Sequence, residues 1–169
     1  MKKLVLLCSV LILFECSNKQ EFNFHTNIIA GLKESRITGK PIFLLFYVYG
    51  IGYGSFKYKL ISNKDIVQKL NKNFVNVILY CDDPRKINQK DTMSFEDYGF
   101  DLLLRPYLSK IQTIGNLNAF LEIVLYDIRT QPLYVIMDSK MNLIIDHFGS
   151  VRDPEILESK LSEALQKLN

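Results

Sequence analysis

The sequence has few of the residues that build reactive sites. Its 169 residues contain three cysteines, Cys8, Cys16 and Cys81, and two histidines, His25 and His147. The cysteine spacings fit no metal site, and three cysteines cannot all pair. The histidines are far apart, and neither has a Cys or Ser poised as a nucleophile, so we interpret His25 as a loop residue and His147 as a strand residue. We expect no catalytic residue, no metal and no cofactor.

Charge and hydropathy exclude two further classes of protein. The net charge is +3, and Lys and Arg are scattered among Asp and Glu, whereas nucleic-acid binding calls for a basic patch or stripe. The apolar run over residues 4–14 is too short for a transmembrane helix, which needs about 20 residues. Length and composition are ordinary for one globular domain with a short leader, and we expect no nucleic-acid partner.

The first residues are typical of an export signal. Met1-Lys2-Lys3 supply positive charge, and residues 4–14 supply an apolar segment of signal-peptide length. The next stretch, Leu13-Phe14-Glu15-Cys16, resembles a bacterial lipobox with Leu at −3 and Cys at +1. Glu15 departs from the small residue that usually precedes the lipid-bearing cysteine.

Residues 1–15 are therefore predicted to be a signal peptide of the lipoprotein type. Cys16 is the candidate for lipidation, which would anchor the chain in the membrane, and residues 16–25 would form a tether. A signal peptide cut elsewhere, or an uncleaved N-terminal anchor, is the alternative. Under each of these hypotheses the chain is exported, and we expect it in the periplasm or the cell envelope.

Apolar patterns after the leader predict alternating helices and strands. Residues at helical spacing predict helices over 27–36, 63–71, 117–128 and 154–168, the first capped by Thr26 and the last by Asp153. Continuous or alternating apolar runs predict strands over 42–48, 74–80, 133–137 and 143–148. The first two strands enclose a helix and should be parallel, whereas the last two form a tight hairpin. The order predicts an α/β domain over 26–169, with a mixed four-stranded sheet and helices on both faces.

Residues 84–112 fit this alternation poorly. A polar beginning is followed by many apolar residues, and Pro106 interrupts any long helix. So many apolar side chains are unlike a disordered loop. We therefore predict an insertion that packs back on the domain, just before the helix that leads into the third strand.

The first predicted strand runs directly into Gly50, Gly52 and Gly54, and a helical pattern follows. A strand that passes through a glycine-rich turn into a helix is a common place for a site. The turn carries Ile51 and Tyr53 between its glycines, and no Cys, His, Asp or Glu. It also lacks the Gly-Lys-Ser/Thr ending of a phosphate-binding loop. The turn thus has the position of an active-site loop without reactive side chains.

Five blocks of this sequence carry a resemblance to a known family. The first block is Lys40-Pro41-Ile42-Phe43-Leu44-Leu45-Phe46-Tyr47-Val48-Tyr49-Gly50. The later blocks are Ser62-Asn63-Lys64-Asp65-Ile66, Leu79-Tyr80-Cys81-Asp82-Asp83, Thr113-Ile114-Gly115 and Gln131-Pro132-Leu133-Tyr134-Val135-Ile136-Met137-Asp138. Together, and in this order, they resemble the thioredoxin-like domain of bacterial thiol:disulfide interchange proteins. The resemblance covers residues 26–168 and implies a thioredoxin-like fold in which Pro132 is cis and lies beside the active-site loop.

The family's two cysteines have no counterpart here. Aligned forward from Lys40-Pro41, their positions fall on Ile51 and Gly54, and aligned backward from Ser62 they fall on Gly50 and Tyr53. Thiol–disulfide exchange needs a thiolate that attacks and a second thiol that resolves the mixed disulfide. The family's oxidoreductase activity is therefore not carried over to this chain.

The resemblance leaves a peptide-docking surface that does not depend on cysteines. In the family, the backbone beside the cis-proline pairs with an extended peptide. Tyr49, Tyr53 and Gln131 are the candidate docking residues, and the expected partner is an envelope protein or peptide. The leading hypothesis is a redox-inactive binding or structural module. The alternative is a thiol–disulfide oxidoreductase or redox sensor that works through Cys81.

Overall fold

The computed structural model describes residues 21–48, 62–92, 94–149, 151 and 153–168. In these ranges the helices are α1 (Ile28–Thr38), α2 (Lys64–Asn73), α3 (Gln89–Thr92), α4 (Phe100–Leu104), α5 (Ile114–Tyr126) and α6 (Pro154–Lys167). The strands are β1 (Ile42–Tyr47), β2 (Val75–Tyr80), β3 (Leu133–Met137) and β4 (Phe148–Gly149). Two 3₁₀ turns, Glu96–Tyr98 and Arg105–Lys110, flank α4.

The strands form one sheet in the order β2-β1-β3-β4. β1 pairs with β2 in parallel and with β3 antiparallel, and β3 pairs with β4 antiparallel. The predicted mixed four-stranded sheet is thus confirmed. Tyr47 lies opposite Tyr80, and Phe46 lies opposite Leu133. The carboxyl ends of β1 and β2 therefore meet the beginning of β3 at a single edge of the sheet.

β1 is the centre of the core because it is buried on both faces. Phe43, Leu45 and Tyr47 pack in the cluster that contains the buried residues of α2 and α6. The alternate residues Ile42, Leu44 and Phe46 pack in the opposite cluster with α1 and α5. The absence of polar residues from this run is what a strand covered on both sides requires.

Side-chain caps decide where the helices begin. Asn27, and not the predicted Thr26, caps α1, since its Oδ1 accepts from the N–H groups of Ile29 and Ala30 at 2.8 and 3.3 Å. α5 begins three residues earlier than its apolar stripe indicates, because the Thr113 hydroxyl accepts from the N–H of Asn116 at 3.1 Å. Asp153 caps α6 as predicted.

Three local predictions, for His25, the 143–148 strand and His147, were wrong. His25 is not a plain loop residue, because it forms a bridge with Val77 on the outer side of β2. The predicted strand over 143–148 is mostly irregular: Leu143 bridges Met137, and regular pairing returns only at β4. Ile145 is buried at a bend between these points, and His147 lies outside the strand.

The segment between β2 and α5 packs on the domain through aromatic and aliphatic side chains. Phe95, Phe100 and Leu104 are buried in the cluster that holds α1 and α5. Arg36 of α1 places its guanidinium 4.3 Å from the centre of the Tyr98 ring. No helix within the described ranges combines the length and apolar character needed to cross a membrane.

Candidate functional site

The backbone around the ends of β1 and β2 is held closely by α5. The Cys81 N–H donates to the Tyr47 carbonyl at 2.7 Å and so extends the parallel pair by one residue. The Gly115 N–H donates to the Asp83 carbonyl at 2.9 Å, and the Asn118 side chain donates to the Tyr80 carbonyl at 2.9 Å.

Gly115 is required for this contact. A Cβ on residue 115 would lie 2.6 Å from the Asp83 nitrogen and 2.8 Å from the Cys81 carbonyl oxygen. Real side chains do not approach a backbone that closely, so this position accepts glycine alone without a shift of the helix. The beginning of α5 thereby rests directly on the turn that carries Cys81.

One turn after Asn118 in α5, Glu122 connects Cys81 to the segment before β3. Its side chain is fully buried. One carboxylate oxygen accepts from the Thr130 N–H at 3.1 Å, and the other accepts from the side-chain amide of Gln131. The Cys81 thiol lies 3.9 Å from that second oxygen. The fold thus brings two predicted residues, Cys81 and Gln131, onto a carboxylate that sequence reasoning did not single out.

A signal for Glu122 was present in the sequence. It is the only acidic residue of the thirteen in α5, and it follows Asn118 by four residues. Residues four apart lie on the same side of a helix, and both of these side chains are buried. A lone acid placed in a buried helix one turn after an amide indicates a polar contact with a neighbouring element.

The electrostatics of the cluster hold the thiol in its neutral form. Burial, and next the negative charge of Glu122, raise the pKa of Cys81 to about 12, although hydrogen bonds from the Gln131 side chain and the Tyr47 backbone oppose the shift. Burial also raises the pKa of Glu122, against the hydrogen bonds from Gln131 and Thr130. Since the nucleophile in thiol chemistry is the thiolate, Cys81 is poorly activated.

The remaining predicted site residues divide into two groups. The Gln131–Pro132 peptide bond is cis, which is the geometry that the resemblance implies, and both residues are half-buried. The other candidates lie outside the described residues: Cys16, Tyr49, Gly50, Ile51, Gly52, Tyr53 and Gly54.

Asp83 and His25, which are also polar, each contact a neighbouring side chain of opposite or complementary character. Asp83 forms an ion pair with Arg85 at 2.6 Å, which lowers the pKa of its carboxyl group. The His25 ring lies 2.5 Å from a Glu34 carboxylate oxygen. In the part of the chain that the structure describes, no three His, Cys, Asp or Glu side chains are grouped to hold a metal ion.

Comparison with solved structures identifies the architecture. A thioredoxin from Thermus thermophilus aligns with a TM-score of 0.55 and 12% identity, over 87% of this chain and 90% of that protein. The DsbH oxidoreductase aligns with a TM-score of 0.57 and 16% identity, over 86% of this chain and 85% of that protein. This chain has a thioredoxin-like fold. No protein-family model and no curated protein sequence matches it.

The thioredoxin-like fold gives the described cluster a defined location. The cis bond before β3 and the ends of β1 and β2 lie at the same edge of the sheet, and Cys81 and Gln131 belong to that edge. The glycine-rich segment follows β1 directly in the sequence. The two structural alignments support the fold. At identities of 12% and 16% they carry no information about the activity.

Proposed function

We propose that this chain is an exported, lipid-anchored thioredoxin-like protein that lacks thiol–disulfide exchange activity and serves as a protein-binding or structural module at the cell envelope. Its partners dock at the sheet edge, on the surface formed by the glycine-rich segment and Gln131–Pro132. The N-terminal pattern that ends at Cys16 supports export and anchoring. The missing cysteine pair supports the absence of redox activity.

The observation that carries the proposal is the environment of Cys81. It is the only cysteine after the predicted leader and lipidation position. Its thiol has a buried carboxylate 3.9 Å away and a pKa of about 12. At pH 7 the thiol is therefore almost entirely protonated. The domain after Cys16 therefore has neither a second thiol that could resolve a mixed disulfide nor an activated first one.

A disulfide-reduction assay tests the absence of redox activity. A chain with Cys8→Ser and Cys16→Ser, supplied with dithiothreitol, should reduce the disulfides of insulin no faster than the same chain with Cys81→Ser added, because the raised pKa of Cys81 keeps its thiol protonated. A thioredoxin with an intact cysteine pair serves as the positive control. Turnover that depends on Cys81 would refute the proposal.

Site-specific photo-crosslinking tests the docking surface. A photoreactive amino acid at Tyr53 should join the chain to a discrete envelope protein, whereas the same group at Ile37, which is highly exposed on α1, should not. Equal crosslinking from both positions would show that the surface at Tyr53 is not selective.

The variant Cys16→Ser tests the lipid anchor separately. It should move the chain from the membrane fraction to the soluble fraction.

A second function has specific support from the location of Cys81. This thiol lies at the sheet edge, and a hydrogen bond from the side-chain amide of Gln131 lowers its pKa, although the carboxylate of Glu122 acts in the opposite direction. Attack of its thiolate on a partner disulfide would form a mixed disulfide and release one partner cysteine as a thiolate. Acid trapping and alkylation under oxidising conditions distinguish the two functions: an adduct lost in Cys81→Ser supports redox sensing, and no adduct supports the binding module.

A further inference from the structure

The segment between β2 and α5 encloses a cavity of about 480 Å³ against α5. Its apolar lining comes from Ile87, Phe95, Leu104, Leu108, Ile111 and Leu117. A volume of this size is within the range of ligand sites, which are mostly apolar with a few polar groups at defined positions. None of the residues that carry the proposed function at the sheet edge lines it.

The polar residues that line the cavity are two acids and the neutral Asn88, Gln89 and Thr92. Glu96 and Asp101 are its charged lining residues. A neighbouring polar cavity of about 430 Å³ shares Glu96 and adds Asp97. The apolar and the acidic surfaces are therefore continuous, and Glu96 lies where they meet.

The carboxylates of this rim have no charged partner among the residues that the structure describes. None of Glu96, Asp97 and Asp101 forms an ion pair there. Two cations of α1 lie beside the second cavity: Lys33 donates to the hydroxyl of Ser94, which lines it, at 3.3 Å, and Arg36 lies over the Tyr98 ring. The two charged residues that line the first cavity, Glu96 and Asp101, are both acidic and are complementary to a positively charged group.

The segment that forms the cavity also carries exposed leucines. Leu108, which lines it, is 59% exposed, and Leu102 and Leu103 on α4 are 60% and 43% exposed. These are three of the eight large apolar side chains that are markedly exposed in the described ranges, and they occur within seven residues. A cluster of this kind indicates an interaction surface broader than a small-molecule site.

We propose that this cavity and its rim form a docking site for a peptide segment of a partner protein that carries bulky apolar side chains next to lysine or arginine. The apolar side chains enter the cavity between Phe95 and Leu117, and the basic group binds at Glu96 and Asp101. The acidic rim disfavours an anionic membrane surface, since like charges would meet there. Apolar anchors flanked by complementary charge are a common mode of peptide recognition.

The site is tested by fluorescence anisotropy with the full chain and three synthetic peptides. The peptides share one leucine- and phenylalanine-containing core and differ only in flanking residues, which are lysine, glutamine or glutamate. The lysine peptide should bind about tenfold more tightly than the glutamate peptide, and this preference should shrink in high salt because the charges are at the surface.

Matched variants locate the binding. The pair Glu96→Gln and Asp101→Asn should weaken the lysine peptide about fivefold and leave the glutamine peptide unchanged. Leu108→Ser should weaken all three peptides, and because Leu108 is exposed this variant should fold normally. Asp146→Asn, which removes an exposed acid that does not line the cavity, should change nothing.

Several outcomes would overturn the proposal. These are equal binding of the three peptides, no binding of any of them, and binding that is unchanged by both Leu108→Ser and the loss of the two acids. Self-association of the full chain that Leu108→Ser abolishes would instead identify a second copy as the occupant. Binding to phosphatidylglycerol vesicles through Leu108 would identify a lipid surface. A failure of these tests leaves the function proposed for the sheet edge untouched, because the disulfide-reduction and crosslinking experiments do not involve this cavity.

Discussion

Replacing Gly115 with alanine should lower the free energy of unfolding by about 1–3 kcal/mol. The new methyl group would lie 2.6 Å from the Asp83 nitrogen and 2.8 Å from the Cys81 carbonyl oxygen. These atoms belong to the backbone, so they cannot rotate away, and α5 must move instead. Gly115 is the second residue of α5, where alanine gains little from its higher helix propensity. Urea denaturation followed by circular dichroism measures the change.

Gly31→Ala is the matched comparison within another helix. A Cβ there would lie 2.3 Å from Cγ2 of Val77, which is a side-chain atom. The loss in Gly31→Ala should therefore be partly relieved when Val77→Ala is added, whereas side-chain truncation near Gly115 should restore nothing. If Gly115→Ala were as stable as the unmodified chain, the close approach of α5 to the Cys81 turn would be wrong.

The second large effect concerns the reactivity of Cys81. In a chain with Cys8→Ser and Cys16→Ser, iodoacetamide at pH 8 should modify Cys81 about 40-fold more slowly in the folded state than in guanidinium chloride. A rise in pKa from 9.0 to about 12 lowers the thiolate fraction almost 1000-fold, and the higher nucleophilicity of the more basic thiolate offsets part of this. Mass spectrometry of the modified chain gives both rates.

The pH dependence of this reaction has a defined sign. Because the pKa is raised, the neutral thiol is the form that the folded chain favours, and the rate should continue to rise between pH 9 and about 12. In the unfolded chain it should level off near pH 9. The same preference stabilises the folded chain below pH 9, and this contribution should disappear as the pH rises through the same window.

Glu122→Gln measures how much of the rise in the pKa of Cys81 comes from the charge of the Glu122 carboxylate. Loss of its negative charge should lower the pKa of Cys81 and accelerate alkylation severalfold. The glutamine can still accept from the Thr130 N–H, so the fold should survive. Glu163→Gln, on the exposed side of α6, is the control and should leave the rate unchanged. An unchanged rate in Glu122→Gln would leave burial, with a smaller contribution from the charge of Asp82, as the cause of the raised pKa.

Much of the fold could be predicted from local patterns in the sequence. The continuous apolar run 42–48 predicted a strand covered on both faces, and β1 is such a strand. The four longer helices, α1, α2, α5 and α6, were predicted to within three residues of each end, helped by the cap Asp153, which acts within three residues of itself. The last strand could not be predicted correctly, since the inward turn of Ile145 depends on the core that it enters.

Only some residues of the candidate site could be identified from the sequence. Cys81 and Gln131 were singled out there, one as a possible thiol and the other as the residue before Pro132. Their connection through Glu122 was not, because that residue lies 41 positions from Cys81 and 9 from Gln131. Packing of α5 on the end of β2 brings Glu122 into contact with Cys81. No local sequence pattern predicts this contact.

By itself, the sequence determined the α/β order of this protein, the absence of a Cys-x-x-Cys pair and the apolar centre of its sheet. These properties depend on residue identity and on spacings of a few residues, which a linear chain displays directly. The tertiary structure alone decided that the one thiol of the domain lies against a buried carboxylate, and that the 84–112 segment encloses an acidic-rimmed apolar cavity. Both depend on distances between elements that are remote in sequence, so packing, and not pattern, sets them.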